Sequence, residues 1–200
     1  MRQDRTVNVV KRSQASPRLA LTLAEAFQDD PALAWIVPDP DKRRRMLPGF
    51  FAVMVEQSFR HGEVLASEDH GAVSLWYPPG TVKDGVFEGL WDNLRLLGLF
   101  RAALPRGLKV AEEMYARHPS PQPHSYLRYV GVAPSAQGKG WGGALVRAGA
   151  ARAADKGLGV LRETATPSNV AIYTRLGFDI SEEWQVPGGP QFWTMQRAPS

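Results

Sequence analysis

The sequence contains no cysteine among its 200 residues. Disulfide bonds, thiolate metal sites and a cysteine nucleophile are therefore excluded. The histidines show no paired ligand spacing, so we expect no metal site. The chemistry of this chain must depend on other groups.

Long apolar runs are also missing. No stretch approaches the roughly 18 apolar residues of a membrane span, and the first residues lack the apolar run of a secretory signal. We therefore expect a cytoplasmic protein with no membrane partner. Apolar residues make up 44% of the chain and charged residues 22%, which is typical of globular proteins, and the length predicts a single domain over residues 1–200.

Positive charge is not concentrated along the chain. The net charge is +4, and the only tight basic cluster is Lys42-Arg43-Arg44-Arg45. Nucleic-acid binders usually arrange their cations in a stripe with exposed aromatics, so we predict no nucleic-acid partner. The cluster follows Asp39-Pro40-Asp41, which indicates a solvent-exposed first helical turn. Its cations oppose the helix dipole there, so attraction of an anion is the alternative interpretation.

The hydrophobic pattern predicts a mixed α+β fold. The predicted strands are 6–11, 63–67, 72–77, 126–132, 159–164, 178–187 and 191–197. The predicted helices are 17–27, 40–59, an inserted pair between about 82 and 117, 140–154 and a short one capped by Ser168. Pro48 predicts a kink or break, the inserted pair is expected to separate near residues 104–107, and residues 118–123 are expected to form an extended connector.

A glycine-rich turn, Gln137 to Gly142, lies between a predicted strand and a predicted helix. The start of a helix leaves backbone N–H groups unpaired and carries partial positive charge, so it attracts phosphate. The glycines leave the backbone open to close approach, and Lys139 adds charge. The turn therefore predicts a pyrophosphate-binding site.

Two other phosphate-binding motifs fit this turn poorly. A Walker loop needs Ser or Thr after its lysine, whereas Gly140 follows Lys139. A dinucleotide fingerprint is formally present as Gly138-x-Gly140-x-x-Gly143. However, residues 133–137 separate it from the strand, and the turn lies too near the C-terminus for repeated βαβ halves to follow.

The whole stretch from Val130 to Gly142 resembles the coenzyme-A-binding segment of GNAT acetyltransferases, whose core pattern is Gln/Arg-x-x-Gly-x-Gly/Ala. A second match supports it: Asn169, Tyr173, Gly177 and Phe178 reproduce the family's Asn-x-x-x-Tyr-x-x-x-Gly-Phe segment. The resemblance extends over nearly the whole chain, towards the branch that includes puromycin N-acetyltransferase and related small-amine acetyltransferases.

This resemblance implies both fold and activity. The fold would be a central, mostly antiparallel twisted sheet of about seven strands with a splayed central pair, flanked by helices. The activity would be transfer of an acetyl group from acetyl-CoA, as co-substrate, to the primary amine of a small molecule by direct attack, without a metal. The residues implied for cofactor binding are Val130, Gly131, Val132, Gln137, Gly138, Lys139, Gly140, Trp141, Gly142, Gly143, Asn169 and Tyr173.

The same resemblance and the chemistry of acyl transfer suggest two catalytic residues. Tyr173 is expected to protonate the departing thiolate or donate a hydrogen bond to it, and Glu163 is expected to accept the proton of the amine. Tyr173 as a packing residue, and Glu163 as a surface or ion-paired carboxylate, are the alternatives. Candidate walls of the substrate pocket are Asp30, Trp35, Trp76 and Tyr77, and core packing is the alternative for the three aromatics.

Other functions remain open on the sequence alone. A non-catalytic domain that senses coenzyme A or binds a partner could keep the same fold, and acetyl transfer to a hydroxyl or to a protein amine would use the same donor. The chain could act as a monomer or a homodimer.

Overall fold

The computed structural model describes residues 5–81, 90–117 and 123–199. Seven strands form one sheet in the order β1-β2-β3-β4-β5-β7-β6. In the described part of the chain the β4–β5 pair is parallel and the other pairs are antiparallel. The strands are β1 (Asn8–Val9), β2 (Glu63–Ala66), β3 (Ala72–Tyr77), β4 (His124–Val132), β5 (Gly159–Thr164), β6 (Asp179–Gln185) and β7 (Gln191–Arg197).

Helices cover both faces of this sheet. They are α1 (Pro17–Ala26), α2 (Pro31–Ile36), α3 (Pro40–His61), α4 (Leu90–Phe100), α5 (Leu104–Ala116), α6 (Trp141–Ala154) and α7 (Pro167–Thr174). Neighbouring residues of β3 show the two layers: Leu75 is buried in the cluster that holds α1 and α3, and Trp76 in the cluster that holds α6. This arrangement confirms the predicted α+β sheet flanked by helices.

The two central strands separate part of the way along. β4 pairs with β5 from His124 to Tyr126. Beyond that point β4 remains paired with β3, and β5 with β7. A register shift between Leu75 and Trp76 places Arg128 as an extra residue in β4 at this level, which is the arrangement of a β-bulge. The predicted splay is therefore present, and it opens a gap between β4 and the end of β5.

Several sequence predictions need correction. The helix α2 was not predicted. Asp30-Pro31 begins it, because the Asp30 side chain accepts hydrogen bonds from the backbone N–H groups of Ala32 and Leu33. α3 runs through Pro48 without a break. The N-cap of α7 is Thr166 rather than Ser168.

The basic cluster also differs from expectation at one position. Arg43 is buried, and its guanidinium donates hydrogen bonds to the backbone carbonyls of Gln28, Val37 and Pro38. It therefore holds α3 against the preceding turn instead of facing solvent.

The inserted helical pair lies where it was expected, with a different junction. α4 and α5 are separated by a short 3₁₀ segment, Arg101–Ala103, rather than near residues 104–107. The start of the insertion, residues 82–89, and most of the expected connector, residues 118–122, lie outside the described residues.

Candidate active site

A cavity of about 200 Å³ lies beside the gap between β4 and β5, on the α1 and α3 face of the sheet. Its walls are mainly apolar, because the inserted helices and α2 and α3 turn their apolar faces towards it. They include Leu33, Phe50, Leu96, Phe100, Leu108 and Met114. A cavity of this kind accepts a small molecule with an apolar body.

Polar side chains line the part of the cavity next to the splayed strands. β4 contributes Tyr126, Arg128 and Tyr129, and β5 contributes Arg162 and Glu163. Consecutive residues of a strand normally point to opposite faces. Here Arg128 and Tyr129 both reach the cavity because of the bulge, and Arg162 and Glu163 both reach it because β5 has left β4 at this level.

Glu163 is buried, with 7% of its surface exposed. Its side chain forms a hydrogen bond with Tyr126, and burial together with the negative charge of Glu163 raises the pKa of Tyr126 well above its usual value. The phenol of Tyr126 therefore stays protonated and donates its hydrogen bond to the Glu163 carboxylate.

Asp30 is the second carboxylate at the cavity. Burial raises its pKa, while the N–H groups of Leu33 and Ala32, the charge of Arg162 and the hydroxyl of Thr166 act in the opposite direction. Two carboxylates and two guanidiniums therefore line the same small cavity, those of Asp30, Glu163, Arg128 and Arg162.

Tyr173 lies on α7, behind Arg162, and it does not line the cavity. The Arg162 guanidinium stacks over its ring at 4.5 Å from the centroid. Burial raises the pKa of Tyr173, and the positive charge of Arg162 lowers it in part. Arg162 therefore lies between the cavity and the ring of Tyr173, the residue expected to interact with the departing thiolate.

The glycine turn has the backbone geometry of a phosphate cradle. Gly138 and Gly140 have φ angles of 73° and 77°, a region that favours glycine. Gly140 is the N-cap of α6, and no side chain caps that end of the helix. Within the described residues, the first N–H groups of α6 are therefore not capped by a side chain, and such groups attract anions.

Side chains of the turn partly stabilise the turn itself. The amide of Gln137 donates to the carbonyl oxygen of Val132 at 3.1 Å, and the ammonium of Lys139 donates to that of Ser135 at 3.0 Å. Trp141, Gly142 and Gly143 form the first turn of α6.

Two arginines near this turn were missed by the sequence reasoning. A Cβ atom on Gly140 would lie 3.2 Å from Cζ of Arg5, and one on Gly143 would lie 3.3 Å from Nη1 of Arg147. The spacing of Arg147, one helical turn after Gly143, was a usable signal. Arg5 comes from the other end of the chain, so no local pattern could reveal it.

The other expected cofactor residues lie along β4 and on α7. Val130 and Val132 are half-buried against the α6 face. A Cβ on Gly131 would meet Ala26 at 2.9 Å and Leu23 at 3.0 Å, so close packing of α1 accounts for this glycine. Asn169 is half-buried in the first turn of α7, one turn before Tyr173.

Of the expected pocket walls, Asp30 lines the cavity and the three aromatics do not. Trp35 donates its indole N–H to the Gly188 carbonyl, so it ties α2 to the β6–β7 turn. Trp76 packs on Gly149 of α6, on the opposite face. Tyr77 is buried below the cavity, where its hydroxyl accepts a hydrogen bond from Ser58. The contacts observed for these three aromatics are therefore packing and hydrogen-bond contacts outside the cavity.

No group of three or more potential metal-ligating side chains occurs among the described residues. Within the same residues, no helix combines the length and the apolar character needed to cross a membrane.

Together, the splayed strand pair and the glycine turn at the start of α6 define an α+β protein of the acetyltransferase type. Comparison with known proteins gives the same class. Residues 68–178 match the model of the acetyltransferase (GNAT) family, so the chain belongs to that family.

One curated relative and two solved structures illustrate the similarity. An uncharacterised N-acetyltransferase of Schizosaccharomyces pombe is 28% identical over 174 residues, which are 80% of this chain and 69% of the relative. A crystal structure described as histone acetyltransferase HPA2 and related acetyltransferase, from Corynebacterium glutamicum, is 25% identical with a TM-score of 0.66. The match covers 98% of this chain and 96% of the Corynebacterium chain. A mosquito arylalkylamine N-acetyltransferase like 5b shares the fold, with 15% identity, a TM-score of 0.58, and coverage of 96% of this chain and 99% of its own.

Proposed function

We propose that this chain transfers the acetyl group of acetyl-CoA to the primary amine of a small molecule. The observation that carries the proposal is the position of the gap between β4 and β5. The acceptor cavity lies beside it on one face, and α6, with the glycine turn at its start, packs on the other face of β4. Donor and acceptor would meet through the gap.

The donor would bind along β4 and the glycine turn. After Tyr126, the β4 edge that faces β5 has left its strand partner, so its backbone groups near Val130 to Val132 can pair with the pantetheine arm. The pyrophosphate would lie on the N–H groups that begin α6, with Arg5 and Arg147 close by. Asn169 would hold the pantetheine from α7.

In the chemical step the amine nitrogen attacks the thioester carbonyl, the N–C bond forms and the C–S bond breaks. Glu163 takes the proton that the amine must lose, and Tyr173 donates a hydrogen bond to the departing thiolate. Holding two reactants in attack geometry supplies much of the rate, so the protein needs no nucleophile of its own.

The cavity supports a small acceptor over a protein amine. Its volume is about 200 Å³ and its walls are apolar, which suits one compact molecule. The name of the similar mosquito enzyme refers to amines that combine an amino group with an aromatic body, and an apolar cavity with a carboxylate at one end is compatible with such acceptors. Membership of the puromycin-acetylating branch stays a prediction, and puromycin belongs in the test panel.

The test is to incubate the protein with acetyl-CoA and a panel of amines while following thiol release. The chain has no cysteine, so a thiol reagent detects only released CoA. We expect release with at least one amine, and an amide product that resists hydroxylamine. An ester product would indicate hydroxyl acetylation, and acetyl-CoA binding without release by any acceptor would favour the sensing function.

A further inference from the structure

Arg162 is a buried cation that the proposed reaction does not use. Only 4% of its surface is exposed, yet it lines the acceptor cavity. Its Nε and Nη1 atoms are buried and have no hydrogen-bond partner, and it forms no ion pair within the described residues. We propose that Arg162 binds a carboxylate of the acceptor, so that the acceptor is an amino acid or a similar amino carboxylate with an apolar body. This inference rests on the proposed function.

The unpaired donors of Arg162 indicate an anionic ligand. Burying a charged group without hydrogen-bond partners is costly, so buried guanidiniums are normally paired. Its stacking on Tyr173 at 4.5 Å offsets part of this cost but satisfies none of its N–H groups. A planar carboxylate fits the fork of a guanidinium and can take two of these hydrogen bonds.

The groups around Arg162 in the described structure are already engaged. Asp30 is the nearby carboxylate, and its side chain accepts the N–H groups of Ala32 and Leu33 at 3.0 Å each and makes a further hydrogen bond with Thr166. The other arginine of the cavity, Arg128, contacts the rings of Tyr77 and Tyr129. Arg162 is therefore the cation of the cavity whose buried N–H donors, at Nε and Nη1, have no hydrogen-bond acceptor.

The arrangement of charges matches an amino acid in particular. Glu163 and Arg162 are adjacent on β5 and both reach the cavity, so an acidic group and a basic group lie side by side. The amine of an amino acid would approach Glu163, and its carboxylate would approach Arg162. The apolar walls from α4 and α5 would take its side chain.

The coenzyme offers a second anion, the thiolate that forms as the C–S bond breaks. That charge exists only during turnover, whereas an acceptor carboxylate is present from the moment the acceptor binds. A permanent carboxylate on the acceptor offsets the cost of burying Arg162 in the bound ground state. The two sources predict different kinetics: a carboxylate affects the acceptor's KM, and a thiolate affects kcat for every acceptor.

The experiment compares acceptors that differ only in the carboxylate. The pairs are L-phenylalanine with phenethylamine, L-leucine with isopentylamine and L-arginine with agmatine, each assayed by thiol release. We expect kcat/KM to be about tenfold or more higher for the carboxylate member of the preferred pair, the factor typical of a hydrogen bond between charged groups. In Arg162→Met that preference should disappear, because the KM of the carboxylate member should rise more than that of the plain amine.

Two further variants control for folding and for charge. Arg175→Met removes an exposed cation near the end of α7 and should keep the preference. Arg162→Lys keeps the charge without the fork and should keep part of it. Acetyl-CoA affinity and the melting temperature identify any variant that has lost its fold.

Each outcome bears on the inference separately from the proposed function. Transfer to amines without a carboxylate preference, or an equal fall of kcat for both members in Arg162→Met, would overturn it. If no acceptor is acetylated, calorimetry with the same amino acids and CoA-saturated protein decides: binding that is lost in Arg162→Met supports the carboxylate site, and absence of binding rejects it.

Discussion

The guanidinium of Arg162 covers the ring of Tyr173 at 4.5 Å from the centroid, with both side chains buried. Burial raises the pKa of Tyr173, and the adjacent positive charge lowers it in part. The phenol therefore stays protonated in the neutral range. Since a thiolate is a weaker base than a phenolate, Tyr173 is better suited to donate a hydrogen bond to the leaving sulfur than to give up its proton.

Replacement of Tyr173 by Phe should therefore lower kcat more than it changes donor binding. Loss of one hydrogen bond to a charged sulfur corresponds to a fall in kcat of about ten- to a hundredfold. The phenyl ring keeps its place under Arg162 and its contact with Phe178, 5.5 Å between centroids, so folding should be retained. Steady-state rates and calorimetric acetyl-CoA affinity measure the two effects, and an unchanged kcat would remove Tyr173 from the mechanism.

Glu163→Gln should remove the proposed proton acceptor. We expect kcat/KM near neutral pH to fall by about a hundredfold or more, as for loss of a general base. The remaining rate should rise with pH until the amine loses its proton in solution. Asp30→Asn is the comparison, because Asp30 is the other carboxylate at the cavity. A pH profile that changes in Asp30→Asn and not in Glu163→Gln would assign the base to Asp30.

Gly140→Ala should weaken acetyl-CoA binding by about tenfold or more, because a side chain would disturb the turn that we propose to bind the pyrophosphate. The new Cβ would also lie 3.2 Å from Cζ of Arg5. Gly157→Ala is a matched control, since Gly157 follows the other end of α6 with a φ of 68° and no neighbour within 4 Å of a Cβ. Both variants should lose stability through left-handed strain, by about 1–2 kcal/mol. Only the first should lose affinity in calorimetry, and equal affinities would contradict the cofactor site.

The sequence predicted local features well because their signals are local. β3, β5 and β7 begin and end as expected, since their apolar runs stop at turn residues. The glycine turn and the Asn169–Tyr173 spacing are likewise short patterns. α2 was missed although Asp30-Pro31 is also a helix start, with a capping carboxylate and a proline at the first position.

The cavity could not be predicted in the same way. Strand alternation predicts that Arg128 and Tyr129, or Arg162 and Glu163, face opposite sides of the sheet. The bulge in β4 and the separation of β5 override that alternation, and both depend on contacts between distant parts of the chain. Arg43 shows the same limit, because its backbone acceptors become neighbours only after α2 and α3 have packed.

Asp30 and Asp39 provide a test of electrostatics within one motif. Each precedes a proline, and each accepts two backbone N–H groups at the start of a helix. Burial raises the pKa of Asp30, whereas the exposed Asp39 has its pKa lowered, mainly by the hydrogen bond from the N–H of Lys42. The contributions of these two capping aspartates to stability therefore change with pH in opposite directions.

The direction of each pH effect on stability depends on whether the folded or the unfolded protein binds the aspartate proton more tightly. The aspartate pKa in an unfolded chain is about 4. Folded Asp30 keeps its proton to a higher pH, so its contribution to the free energy of unfolding falls as the pH rises from about 4 through its folded pKa. Asp39 releases its proton at a lower pH, so its contribution is present above about 4 and is lost as the pH falls through its folded pKa.

Asparagine keeps the cap at both positions and removes the titration. Between pH 4 and pH 7, the melting temperature of Asp30→Asn should therefore rise relative to that of the unchanged protein. The expected rise is about 2–4 °C if the free energy of unfolding changes by about 1 kcal/mol. For Asp39→Asn the change lies below about pH 4, where the unchanged protein loses the contribution of Asp39 as the pH falls and the variant does not, so the melting temperature of the variant should rise relative to that of the unchanged protein there. Thermal unfolding of the three proteins from below pH 4 to pH 7 measures both trends, and parallel curves for Asp30→Asn and the unchanged protein would show that burial does not raise the pKa of Asp30.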